Sequence, residues 1–178
     1  MSDQALAAPA RPRTSRRART AVVVLGALAV LLAAASVGLA VTVKSHLDDR
    51  DALDAARSAA VAAARQEIVN LDSLSWDTVD ADLKRVLDGA TGTFKDQFSR
   101  AQKDLKPVVV QRKSESSGEV LFAGVVRADT DTATVLVAVD RTVKDSTDQA
   151  GAVAHDRWRV DLEKHGGRWL VSDLQPVG

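Results

Sequence analysis

One uninterrupted apolar run fixes most of what this chain can do. From Ala21 to Val43 it reads AVVVLGALAVLLAAASVGLAVTV, 23 residues without a charge. As a helix the run reaches about 34 Å, enough to cross a hydrocarbon core of about 30 Å with some tilt. A soluble helix of that length shows a polar face, and this run has none. Arg11, Arg13, Arg16, Arg17 and Arg19 precede it closely, whereas Lys44 and then Asp48, Asp49 and Asp51 follow it. Clustered arginines resist translocation. The run is therefore expected to be a single-pass anchor in the inner (plasma) membrane, with the N-terminus cytoplasmic and the C-terminal part extracytoplasmic. A cleaved signal peptide is the alternative, with Ala33, Ala35 and Ala40 as small residues for a peptidase, but its apolar region is usually about 7–15 residues long. Ser15-Arg16-Arg17 has the look of a twin-arginine signal, yet Arg19 and Thr20 stand where that signal is apolar. Gly26 and Gly38 are not four apart, so the run carries no GxxxG pairing motif.

The remaining sequence divides around this span. Residues 1–20 read as a disordered basic tail, 44–71 as a stalk helix, and 72–178 as one globular domain, within the usual size for a single core. The overall charge is zero, but five of the 24 Lys and Arg and only one of the 24 Asp and Glu lie before Lys44. The tail is thus +4 and the exported part −4, the wrong distribution for a nucleic-acid binder. The absence of cysteine removes disulfides, thiolate metal sites and cysteine nucleophiles. With no tyrosine and few other aromatics, stacking platforms for bases are not expected either.

Helices come first in the exported part. Alanine dominates residues 45–71, with Val61, Ala64, Ile68 and Leu71 on one face. The stalk is the simpler reading of this helix, and a seam for a partner helix is the other. A second helix is expected over 78–88, capped by Asp77 or Thr78 and stopped by Gly89, with Val79, Leu83, Val86 and Leu87 on its apolar side. A third follows Gly92, capped by Thr93 with Asp96 three residues on, presenting Phe94, Phe98, Ala101 and Leu105, and ended by Pro107.

From Val108 the period becomes two. Strands are expected at 108–116 and 119–128, joined near Gly118, then at 132–143, 154–164 and 168–175. Val135, Val137 and Val139 alternate with Thr134, Leu136, Ala138 and Asp140. Trp158, Val160 and Leu162 alternate with Arg157, Arg159, Asp161 and Glu163. Asp129-Thr130-Asp131 reads as a turn and His165-Gly166-Gly167 as a hairpin. Helices followed by a meander define an α+β domain, with about three helices packed on one face of a curved antiparallel sheet of four to five strands.

In that order, behind a single span, stand Asp82-Leu83 with Leu87, Ala90-Thr91-Gly92-Thr93-Phe94, Phe122-Ala123-Gly124-Val125, the Ala133–Val139 strand, and Arg159-Val160-Asp161-Leu162 followed by Gly167-Arg168-Trp169-Leu170-Val171. From Arg11 to its end the chain resembles the Mce-associated membrane proteins of actinobacteria, accessory proteins of the mammalian-cell-entry systems. The resemblance implies a cone-shaped domain like nuclear transport factor 2. That fold is shared with the periplasmic domain of a type IV secretion assembly protein. It also implies a role in assembling or stabilising an Mce-type lipid importer through contacts with its subunits. It brings no catalytic residues and no cofactor.

The chemistry-bearing residues agree with a non-enzyme. His46, His155 and His165 lack metal-ligand spacing. The acid pairs Asp80/Asp82 and Asp129/Asp131 fall on a helix surface and in a turn. Neither a GxSxG nor a GxxxxGK[ST] motif occurs. The candidate interaction or pocket residues are aromatic. Phe94 and Phe98 form a core-facing helix side. Trp158 and Trp169 sit on adjacent strands, packing the core or lining an apolar pocket, and Trp76 sits in a loop where it seals one end of the domain or meets a partner. The alternative to an accessory role is a small-molecule or lipid-binding domain using the cone interior; an exported enzyme needs an inward acid or histidine with a strongly perturbed pKa.

Overall fold

The computed structural model describes residues 49–178, which form one compact unit. The basic tail at 1–20 and the apolar span at 21–43 lie outside the described residues; among the described ones no helix is long and apolar enough to cross a membrane. Helix α1 occupies 49–72, α2 Val79–Gly89 and α3 Gly92–Arg112. Strands β1 (Glu115–Ala128), β2 (Thr132–Lys144), β3 (Ala152–His165) and β4 (Arg168–Pro176) form an antiparallel meander in the order β1-β2-β3-β4. The α+β class, the three helices and four of the expected strands are therefore present.

From Ala56 onward α1, expected as a stalk, is a wall of the core. Ala56, Ala60, Ala64 and Ile68 recur every fourth residue and are all buried, while Val61 and Leu71 are only half-buried. Small side chains let a helix axis approach its neighbour closely, so the alanine stripe rather than the bulkier one faces inward. The same face carries Glu67 and, towards the helix end, Asn70 and Asp72, all buried.

The loop after α1 is tied to α2 through Asp82. Its carboxylate accepts from the Ser75 N–H (3.0 Å), the Thr78 hydroxyl (2.8 Å) and Arg85 (2.6 Å). Thr78 thus stands at the N-cap position but spends its hydroxyl on Asp82, not on the backbone. The cap expected from Thr93 is also absent: α3 begins at Gly92 behind Thr91, whose N–H donates to the Val171 carbonyl at 2.8 Å. That bond fixes the α2–α3 connection to β4.

Pro107 does not end α3, and no strand forms at 108–114. Lys103, whose carbonyl the missing proline N–H leaves free, and Pro107 itself lie on the exposed side, so the freed carbonyl is not buried. Val109 is buried in the core, and that burial outweighs the strand preference of the three valines. The helix stops at Lys113 in the left-handed region (φ 52°), with Ser114 N–H bonded to Val109 O at 2.9 Å and Lys113 N–H to Val110 O at 3.2 Å. This is a Schellman stop with lysine where glycine is usual.

Gly118, expected as the joint between two strands, lies within β1. A Cβ there would stand 2.6 Å from the Cβ of Asp72, so the glycine lets the end of α1 lie against the strand. The inner face of the sheet presents Ala133, Val135, Val137, Val139, Val160, Leu162 and Val171. Against it pack Val79, Leu83 and Val86 of α2 and Phe94, Phe98 and Val109 of α3, together with the buried face of α1.

Candidate functional site

The expected aromatic residues separate into three places. Phe94 and Phe98 are buried side by side, ring centroids 5.9 Å apart, between α3 and the sheet. Together with Ile68 and Trp169 they belong to one buried core cluster. Trp158 and Trp169 share the inner face but not a neighbourhood. Trp158 pairs with Pro176 and Trp169 with Lys164, six residues further along β3, or about 20 Å at the usual strand rise. Trp169 is buried with the Lys164 ammonium 5.9 Å from its ring, and Trp158 is half-buried with its indole N–H unpartnered. Trp76 is 38% exposed at the opposite end of the domain from the β1–β2 turn, with the Lys113 ammonium 5.7 Å from its ring centre. It borders a 330 Å³ recess lined by Glu115, Lys144 and Asp145 among others.

The larger apolar surface is elsewhere, on the outer face of the sheet and the edge strand. Five of the ten exposed large apolar side chains among the described residues are Leu121, Phe122, Val125, Val126 and Leu136, all on the second half of β1 or beside it on β2. Two bulges cause this. The β1–β2 register shifts between Val120 and Phe122 and again between Val125 and Arg127, so Leu121 and Val126 are extra residues turned out of the ladder, 59% and 60% exposed. Phe122, 63% exposed, pairs with Ala138, and Gly124 with Leu136, itself 41% exposed. The Phe122 ring lies over Gly124, where a Cβ would stand 3.0 Å from the ring edge.

Charged groups frame this surface. Arg127 Nε donates to Thr134 Oγ1 at 2.9 Å, the same hydroxyl donates to Asp161, and Arg159 bonds Asp161 at 2.9 Å. That polar chain crosses β1, β2 and β3 just beyond Leu136. At the other end His155 meets Asp140 across the strands at 2.6 Å, not its sequence neighbour Asp156. His165 contacts Glu163 at 3.1 Å on the surface, and His46 lies outside the described residues. Among the described residues no group of three or more His, Asp and Glu is arranged to hold a metal. An 870 Å³ cleft between the start of α3 and the β1–β2 turn is lined by the acids Asp129, Asp161, Glu163 and Asp173 together with Arg127 and the apolar Ala133 and Leu162.

Two perturbed carboxyls escaped the sequence reading, and both sit on the buried face of α1. Glu67 accepts from the Asn70 amide at 3.2 Å, and its other oxygen has no partner. Burial pushes its pKa up to about 7, against the Asn70 hydrogen bond and with the help of nearby Asp88. Gly89 makes room for it: a Cβ there would collide with the carboxyl. Asp72 lies 3.6 Å from Arg141, which also pairs with Asp156 at 3.1 Å. Burial raises it to about 6, outweighing Arg141, with Asp156 adding to the rise. Helical spacing is the signal that finds them, since Glu67 follows Ala60 by seven and Ala64 by three, and Asp72 follows Ile68 by four. Asp72 ties the end of α1 to Arg141 of β2, whereas the one hydrogen bond of Glu67 stays within α1 and its carboxyl lies against Gly89 of α2; neither lines the cleft described above.

The helices-then-meander arrangement is the fold of VirB8-like periplasmic domains. The periplasmic domain of DotI matches with a TM-score of 0.57 at 12% identity, covering 67% of this chain and 94% of that one. Helicobacter pylori CagV, a VirB8 homolog, gives 0.55 at 8%, covering 67% and 97%. Identities this low establish the fold alone.

By sequence the chain belongs to the family described as uncharacterized protein Rv1363c/MT1408-like, whose model matches residues 19–177. The protein Rv1363c of Mycobacterium tuberculosis is 36% identical over 125 residues, 68% of this chain and 47% of that protein, so the chain matches about half the length of that relative. The outer membrane protein Rv1973 of the same organism is 33% identical over 123 residues, 68% of this chain and 76% of its own length.

Proposed function

We propose that this chain is a non-catalytic accessory protein of the cell envelope. Residues 21–43 hold it in the plasma membrane with the N-terminus cytoplasmic, and the 49–178 domain stands outside. There it stabilises or assembles an Mce-type lipid importer through protein–protein contacts. The observation that carries the reading is the outer sheet face: Leu121, Phe122 and Leu136 expose apolar surface that the fold does not use. Contiguous exposed apolar surface of this kind marks interaction sites on soluble domains. Supporting it are the likeness to periplasmic domains of secretion assemblies and the printed name of Rv1973.

The test is recovery of the full chain from gently solubilised membranes, followed by identification of what accompanies it. The proposal expects importer subunits, and a lower level of the importer after deletion of the gene. Membranes that lose the chain yet keep normal importer levels and lipid uptake would refute it. A reporter at Gly178 that is active only outside the cytoplasm, in the inner-membrane fraction, is the expected topology. Recovery in the outer membrane alone would overturn the anchor.

A further inference from the structure

Three arginines stand around the apolar centre of the outer sheet face. Leu136 of β2 pairs with Gly124 of β1 on one side and with Arg159 of β3 on the other. Two residues along β2, Ala138 pairs with Phe122 and with Arg157; two residues the other way, Thr134 pairs with Arg127 and with Asp161. Alternate residues of a strand share a face, so these side chains project away from the helices. Arg127, Arg157 and Arg159 are exposed, and around Leu136 only Asp161 balances them. From Lys44 onward the chain carries a net charge of −4, so this is a basic spot on an acidic background.

The charge of Arg157 is unused by the fold. Its sequence neighbour Asp156 is engaged by Arg141 at 3.1 Å, Asp140, diagonal to it on β2, by His155 at 2.6 Å, and Asp161 by Arg159 at 2.9 Å. On the far side of the Phe122–Ala138–Arg157 row the sign reverses, because Glu119 lies directly opposite Asp140. Like charges placed so are unfavourable, and His155 answers only one of them. The face therefore runs from basic to acidic across an apolar middle. Leu136 and Asp140 are four residues apart, or about 13 Å at the usual strand rise. That distance corresponds to about two turns of α-helix.

The ladders between β1, β2 and β3 occupy the backbone N–H and C=O groups beneath this face, so a partner is held there by side chains alone. A helix satisfies its own backbone and presents apolar residues every third or fourth position, which suits such a surface. The Phe122 ring lies over Gly124 instead of standing away from the sheet, a shape for packing against protein and not a wedge for lipid.

Resting on the docking role given to this face above, we propose that its occupant is an amphipathic helix of a partner protein. The apolar stripe of that helix lies on Phe122, Ala138 and Leu136. Asp or Glu at one end meets Arg157 and Arg159, and Lys or Arg about two turns away meets Glu119 and Asp140.

The test uses the full-length chain in its native membranes. A carbodiimide joins an amine directly to a carboxylate and leaves arginine unreacted, so Arg157→Lys makes the basic end reactive without removing its charge. This variant is expected to give an amide bond between position 157 and an Asp or Glu of another polypeptide, in a segment with apolar residues at helical spacing. Arg100→Lys, the same change on the exposed side of α3, is expected to give no bond to that segment. Arg157→Glu and Glu119→Lys are each expected to lower co-recovery of that polypeptide roughly fivefold or more at an unchanged level of the chain itself, although Glu119→Lys removes a repulsion inside the fold. A bond from position 157 to a second copy of this chain, or to no other polypeptide, would overturn the proposal, as would co-recovery at the parent's level with both charge variants. If Phe122→Asp plus Leu136→Asp still removes the importer subunits in that case, the docking surface stands and only the helix with its charge order falls. If that double variant keeps them too, the docking reading falls as well.

Discussion

The two sides of strand β2 contrast within a few ångströms. On the inner side Val135, Val137 and Val139 are fully buried beneath the three helices; on the outer side Leu136 remains 41% exposed next to Phe122 at 63%. The inner side is explained by folding alone, since every apolar group there has a partner in the core. The outer side is not, because its apolar groups are exposed and its order comes from the polar chain of Arg127, Thr134, Asp161 and Arg159. A sheet that spends Leu136 of β2 and Phe122 of β1 on its solvent face is equipped for something other than its own stability.

The most severe way to break this contrast is to place a charge on each side. Val137→Asp is expected to abolish folding, because an unpaired buried carboxylate costs an amount comparable to the whole stability of a domain, about 5–15 kcal/mol. A cooperative melt close to that of the parent chain would mean that the inner face is not a core. Ile68→Ala tests whether α1 belongs to the same core. About 2–5 kcal/mol of destabilisation is expected in a denaturant titration, against almost none if the helix were a free stalk.

Glu67 sharpens the comparison through pH. Its folded pKa, about 7, lies above the ordinary glutamate value of 4.5, so the folded state binds the proton more tightly than the unfolded state does. Its contribution is therefore complete below pH 4.5 and is lost as pH rises through about 7. The loss is on the order of 3 kcal/mol for a shift of this size. Glu67→Gln is expected to match the parent near pH 4.5 and to exceed it at pH 8. It should keep a smaller slope from Asp72, whose contribution fades between the ordinary aspartate value of 3.8 and about pH 6. Identical stability–pH curves for the variant and the parent would place Glu67 in water. The smallest effect is expected outside the core: Phe122→Ser with Leu136→Ser should leave stability within about 0.5 kcal/mol per substitution.

The sequence carries the inner face well and the acids poorly. Alternation in 132–143 and 154–164 separates Val135, Val137, Trp158, Val160 and Leu162 from their polar neighbours, and the pleat follows that pattern. Phe94 and Phe98 likewise face the core. The errors have a common cause, which is that local signals were overruled by packing. Pro107 and Gly118 are breakers by propensity, but one lies on the exposed face of α3 and the other where Asp72 needs space against β1. The exposed outer face was half legible. Leu136 stands out among Thr134, Ala138 and Asp140, but the bulges that turn Leu121 and Val126 outward depend on register with β2, which no single strand encodes. Glu67 and Asp72 were readable from helical spacing once Ala56, Ala60 and Ala64, rather than Val61 and Leu71, are taken as the buried stripe.

The proposed docking surface for an envelope complex is the outer face of the sheet. The direct measurement replaces the chromosomal copy with Phe122→Asp plus Leu136→Asp and quantifies both this protein and the importer subunits in the membrane fraction. The expected result is normal levels of the variant with importer subunits depleted to the level of the deletion strain. Importer levels equal to the parent's, with the variant chain folded and present in normal amount, would contradict it.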